Sequence, residues 1–229
     1  MVMPALMAFA WVLLSVGPAV AAPPATLFGS IEFRAESHAA LPQWRRTLGG
    51  IESELPRYAA CAEKPSQCTS RAAMVWEAHL ASLSGLPRED QLRRLNRFIN
   101  QWPRKTVAAS GSSPDHWATP LEFMGHPGNA EDFAIAKYVS LRRLGWPPEK
   151  LRMAIVRDRL RDHGHAVLAV WLDDDDVIIL DSLTDAAMPQ DRISHYEPQY
   201  SVNEVARWTH ASAAAALVST REPRSIEGR

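Results

Sequence analysis

The 229-residue chain sets 25 Lys and Arg against 26 Asp and Glu, and 46% of its residues are hydrophobic. So even a balance excludes the strongly basic class of nucleic-acid binders, and so apolar a composition excludes a disordered chain. The length suits one domain, with two lobes at most.

Met1 to Ala22 contains no charged side chain. An apolar run from Ala5 to Val16 is broken by Gly17-Pro18, and Ala19 and Ala21 fit an A-x-A cleavage site. Residues 1–22 therefore read as a cleaved signal peptide and residues 23–217 as the mature domain. The n-region lacks Lys and Arg, so an uncleaved anchor is the alternative, although the run is short for a span. Export makes the cysteines readable. Cys61 and Cys68 are the only two, and an oxidising periplasm favours a disulfide between them. A displaced nucleophile is the competing reading. It is disfavoured because neither cysteine opens a helix beside a His or follows a Gly-rich turn.

Thr26 to Ala35 reads as a short extended lead-in, and helical spacing follows. Leu41, Trp44 and Leu48 form one stripe, and Ile51, Leu55 and Tyr58 another after Gly49-Gly50. Ser70 to Ser84 places Ala73, Trp76, Leu80 and Leu83 on one side, and Leu92, Leu95, Ile99 and Trp102 make the next apolar face. From Lys105 to Pro127 the composition shifts to Ser, Gly, Pro and His, the signature of a long loop that is functional or a lid, the alternative being a packed surface loop with Trp117 as its hydrophobic anchor; His126 reads as solvated.

Gly128-Asn129 opens a helix that runs to about Gly145, where Pro147-Pro148 follows. Asn129 can cap it, and Glu131 and Asp132 suit the positive end of its dipole. The period then changes. Leu151 to Val156, His165 to Trp171 and Val177 to Leu180 are strand-like, with Asp173 to Asp176 as a solvated turn rather than a metal loop. A helical front and a strand-rich back predict an α+β fold. Residues 218–229 form a polar tail whose Ile226-Glu227-Gly228-Arg229 matches a protease-cleavage tag or is native.

Gly128-Asn129-Ala130-Glu131-Asp132-Phe133-Ala134-Ile135-Ala136-Lys137-Tyr138 resembles the helix-opening motif of the bacterial transglutaminase-like cysteine proteases of LapG type, which reads Gly-Asp-Cys-Glu-Asp before a Tyr-Ala-Ile-Ala-Lys-Tyr-like run. Asn96 to Asn100, Asp115 to Glu122, Gly164 to Leu168 and Ile178 to Ser182 are similar to further segments of that family, in the same order. The resemblance implies a transglutaminase-like (papain-like) fold, a helical lobe packed on an antiparallel sheet. It puts the nucleophilic cysteine at Ala130, the base at His165 and the orienting carboxylate at Asp181. It also implies oxyanion donors at the N–H of Ala130 and in the preceding loop. A helix start lowers a thiol pKa, which explains that placement of the cysteine.

Hairpin geometry supports the pair provided the turn is odd; an even-numbered turn would put the two on opposite faces, so the odd turn is a requirement of the triad. A turn centred on Asp174 sets Val167 opposite Asp181 and His165 opposite Leu183, so His165 and Asp181 share a sheet face as diagonal neighbours, about 7 Å apart at Cβ. His163 is the local competitor on that face.

In the family, carboxylates flanking the nucleophile bind calcium; those positions are Asn129 and Glu131, and the missing charge at Asn129 implies a weakened site. The resemblance further implies a periplasmic protein whose partners are a surface adhesin and an inner-membrane receptor for cyclic di-GMP. With Ala130 in place of the thiol, the leading expectation is a pseudoprotease that binds a peptide or protein without cutting it. The alternatives are an active calcium-dependent endopeptidase whose native residue at 130 is Cys, and an enzyme using Ser112 or Ser113.

Overall fold

The computed structural model describes residues 25–105 and 116–212. The expected signal segment, Ser112, Ser113 and the polar tail lie outside them. The described residues form an α+β fold of five helices and a seven-stranded antiparallel sheet.

A 3₁₀ turn, Leu27–Gly29, precedes strand β1, Ile31–Ala35. Helix α1, Pro42–Glu63, is continuous through Gly49-Gly50 and Pro56, where two stripes were expected. Packing explains the glycine at 50: a Cβ there would stand 2.6 Å from Thr119 Cγ2. Tertiary contact thus outweighs helix propensity at this point. Helix α2, Arg71–Leu83, is capped by Ser70, whose hydroxyl accepts from the N–H of Ala73. Helix α3, Arg88–Ile99, buries Leu92, Leu95 and Ile99 as its spacing predicts. Cys61 and Cys68 are joined as a disulfide across the α1–α2 connection.

The expected loop from Lys105 to Pro127 contains a short helix, α4, Pro120–Gly125. Its signal was present. Thr119 and Glu122 form a reciprocal capping box, and Pro120 occupies the first turn. Trp117 is buried against Trp44, as an anchor should be. His126 is exposed.

Helix α5, Ala130–Arg143, is the centre of the fold, with every residue from Asp132 to Leu141 buried. Trp76 of α2 donates to Ser140 Oγ at 2.9 Å. Strands β2, Leu151–Asp158, β3, His163–Trp171, and β4, Val177–Leu180, follow, at or close to the expected positions. Three further strands were missed: β5, Ala187–Pro189, β6, Tyr196–Val202, and β7, Arg207–Ala211. Their sequences are polar, interrupted by Pro198 and short of β-branched runs, so the period-2 signal is faint. The sheet order is β1-β7-β6-β2-β3-β4-β5.

The two sheet faces divide the core. Met153, Leu168, Val170 and Leu180 pack under the helices. Val156, Val167, Ala169 and Ile179 pack on the other face beneath Leu27, Ile193 and Tyr196. The Asp173 to Asp176 turn is exposed, and Lys150 Nζ meets Asp174 Oδ1 at 3.0 Å.

Closing so short a loop as Cys61 to Cys68 limits the unfolded chain, a contribution of about 2 kcal/mol. Cys61→Ser with Cys68→Ser should lower the unfolding free energy by that amount in urea titration. Reductant should then have no further effect on the double variant.

Candidate active site

The β3–β4 ladder runs Leu168↔Leu180 to Trp171↔Val177, which centres the hairpin on Asp174 as the triad requires. His165 and Asp181 accordingly come together, with His165 Nε2 2.7 Å from Asp181 Oδ1. Both are buried. Tyr196 donates its hydroxyl to Asp181 Oδ2 at 2.5 Å, and the N–H of Leu183 donates to Oδ1 at 2.8 Å. Burial alone would raise the carboxyl pKa. The bonds from His165, Tyr196 and Leu183 outweigh it and hold Asp181 at about 2. An ionised carboxylate only accepts, so His165 Nε2 carries the hydrogen and Nδ1 is the nitrogen left for other work. Burial and the bond to Asp181 push the Tyr196 phenol upward, keeping it a donor.

His163, the competitor, is exposed, its Nδ1 2.8 Å from the Gly164 carbonyl. It has no part in the pair.

Helix α5 starts at the same end of the sheet. Its C-terminal end leads through a 3₁₀ turn, Pro148–Lys150, into Leu151, which pairs with Val170 at the far end of β3. The first turn of α5 therefore lies toward the end where β3 begins with His163 and His165. His165 and Asp181 continue the alternation of Val167 and Ile179, on the face that also bears Tyr196. The field of His165 reaches Glu131: burial raises the Glu131 carboxyl, and His165 and Lys105 partly offset that.

The helix start is tightly built. Asn129 Oδ1 accepts from the N–H of Asp132 at 3.1 Å, and Asp132 Oδ2 accepts from the N–H of Asn129 at 2.9 Å. Asp132 Oδ1 also accepts from the N–H of Ala118 at 2.8 Å, which fastens the loop before α4 to α5. A Cβ on Gly128 would fall on the Phe123 ring, so only glycine fits before the cap. Ala130 is the first helical residue, and its N–H has no intrahelical acceptor. This is the N–H at which the oxyanion donor was expected.

These oxygens suit calcium poorly. Asn129 Oδ1 and both Asp132 oxygens already accept backbone N–H groups, and Lys105 Nζ stands 3.7 Å from Asp132 Oδ2. Glu131 is the one flanking carboxylate left, against six to eight oxygens for a typical site. Among the described residues no three His, Cys, Asp or Glu gather as metal ligands.

Helix α3 supplies support that the sequence reading noticed only as a likeness. Asn100 Nδ2 donates to the carbonyls of Asp181 at 3.0 Å and Thr184 at 2.8 Å, and Asn96 Nδ2 to Thr184 at 2.9 Å. Arg104 donates to Ser182 Oγ at 3.1 Å and covers the Phe133 ring. Tyr196 was missed because its strand was missed. Lys137 of α5 is fully buried, and burial lowers its ammonium to about 7, with Asp181 opposing and Arg104 adding to the fall.

Two pH effects follow. Asp181 sits below its unfolded pKa, so its stabilisation is complete above about pH 4 and is lost as pH falls through about 2. Asp181→Asn should cost about 2 kcal/mol in denaturant titrations at pH 6, with the difference shrinking below pH 4. Lys137 also sits below its unfolded pKa, but for a base that makes stability rise with pH. The unfolded chain holds the extra proton between about pH 7 and 10, so unfolding free energy should climb across that window. Lys137→Met should flatten the climb.

The family model described as bacterial transglutaminase-like cysteine proteinase, BTLCP, matches residues 54–215. No curated protein sequence gives a match. Three solved structures of Legionella pneumophila LapG are similar to this chain. The calcium-bound form is 28% identical with a TM-score of 0.59, covering 70% of this chain and 97% of that one. A second LapG structure is 25% identical with a TM-score of 0.59, covering 72% and 96%. The EGTA-treated form is 26% identical with a TM-score of 0.60, covering 72% and 97%. With the family's model spanning well over half of its length, the chain belongs to the bacterial transglutaminase-like cysteine proteinases.

Proposed function

We propose that this protein is a periplasmic member of its family that binds an extended peptide or protein segment and does not cut it. The observation that carries the reading is Ala130 at the start of α5, where the family resemblance puts the thiol, in a chain that also assembles the His165–Asp181 pair. A methyl group can neither attack a carbonyl nor be activated by a base. What remains on this reading is a peptide-binding cradle: the N–H of Ala130 at a helix start, a buried imidazole and the neighbouring loops. The partner class is a surface adhesin or a related exported protein. An inner-membrane receptor for cyclic di-GMP is the regulator that the family resemblance suggests.

One observation favours a second reading, a cysteine endopeptidase with Cys as the native residue at position 130. Asp181 holds His165 in a defined tautomer, with Nδ1 left over, which is the arrangement a thiolate needs and a binding protein does not. The calcium dependence attached to that reading has weaker support, because the Asn129 and Asp132 oxygens are already engaged.

An adhesin fragment separates the readings. The chain as given should bind it in calorimetry and leave it whole. Ala130→Cys should release cleavage, faster by on the order of 10³-fold or more, and His165→Ala in that background should remove it. Cleavage by the unaltered chain that His165→Ala abolishes would sink the binding-only reading. Calcium at millimolar concentration should leave the melting temperature of the unaltered chain in place, and Asn129→Asp should make it calcium-sensitive.

A further inference from the structure

Lys137 lies seven residues after Ala130, nearly two turns along α5 and so on the same helix face. Its side chain is wholly buried, and Nζ has no hydrogen-bond partner among the described residues. Helical side chains lean toward the N-terminus, which carries the ammonium toward the site end of the helix. There it stands in the fields of Asp181 and Asp185 from the loop after β4, and of Arg104 from the segment after α3.

Two other buried polar atoms beside that loop also lack partners: Asn96 Oδ1 on α3 and Oδ1 of Asn100, the residue that caps its C-terminus. Their amide orientations are decided by the bonds they make. Asn96 Nδ2 faces the carbonyls of Thr184 and Ala186, and Asn100 Nδ2 those of Asp181 and Thr184. A flip would set oxygen against oxygen, so Oδ1 of each must point elsewhere. Helix α3 packs on α5. Lys137 Nζ and the two amide oxygens are thus three buried polar atoms without partners, on elements that pack together and border loop 181–186. Buried polar atoms of this kind take ordered water, which completes the bonds that side chains cannot reach directly.

We infer that Lys137 is a positioning residue: through internal water its ammonium joins the side-chain oxygens of Asn96 and Asn100, and this network holds loop 181–186 so that Asp181 stays on His165. The inference rests on the proposed reading only in taking His165–Asp181 as the working pair. It is indifferent to whether position 130 cuts.

The test reads the pair itself in the chain as given. With ¹⁵N-labelled histidine, the Nε2 proton of His165 in its 2.7 Å contact with Asp181 should appear as a slowly exchanging downfield resonance. Lys137→Met should speed its exchange about tenfold or broaden it away, while the melting temperature holds or rises because a buried charge has gone. Asn100→Ala should do the same, and the two substitutions together should do no more than either alone. An unchanged resonance in Lys137→Met, or effects that simply add, would overturn the inference. Lys137→Gln keeps length and a donor, and serves if the methionine variant does not fold. A high-resolution crystal structure of the unaltered chain is an independent arm: neither water nor direct contact between Nζ and the asparagine oxygens would also overturn it. Peptide binding is measured separately, so failure of the binding reading and failure of this one are distinguishable.

Discussion

The site depends on one buried carboxylate. Asp181 is ionised although almost no water reaches it, and a lone charge in that position would protonate rather than persist. It persists because three donors from separate places converge on it: an imidazole from β3, a phenol from β6 and a backbone N–H from its own loop. A fourth element, α3, grips its main-chain carbonyl through Asn100. The same bonds that keep the charge therefore tie two strands, a helix and a loop together. Losing the charge would loosen the imidazole and the sheet end at once.

The helix start obeys a different logic, which bears on what residues 129 and 130 contribute. Asn caps a helix about as well as Asp, so Asn129 preserves the reciprocal bonds with Asp132 in full. Alanine is the best helix former, so Ala130 disturbs nothing in the backbone. Both residues are neutral for folding, and on the proposed reading they bear only on chemistry: one on the charge offered to a hard cation, the other on the attacking atom. Function could leave this site without the fold registering the loss.

Much of this was legible in the sequence where the signal was local. The pairing of His165 with Asp181 required an odd turn centred on Asp174, and the ladder has that turn and the two side chains meet. Capping chemistry placed the start of α5 at Asn129, and the cysteines paired as expected. What escaped was non-local or weakly patterned. The continuity of α1 through Gly50 depends on Thr119, far along the chain. Tyr196 reaches Asp181 from a strand too polar to be recognised. Asn96 and Asn100 sit one helical turn apart, a spacing visible in the sequence, but their shared target, the loop after β4, is visible only in three dimensions.

Lys137 sharpens the point about what the fold tolerates. An ammonium without a direct partner in a closed interior is a penalty that an apolar side chain of similar size would remove. Nothing in the packing of α5 demands the charge, since its neighbours Ala134, Ile135, Val139 and Leu141 are apolar. The charges around it do give it a place: Asp181 and Asp185 on one side of the balance, Arg104 on the other. A cation beneath an anion that itself orients an imidazole stiffens the arrangement by electrostatics acting over more than one bond, in a medium where such effects are screened least. Stability forgone in the core is thereby converted into geometry at the site, and that geometry is what either reading of position 130 requires.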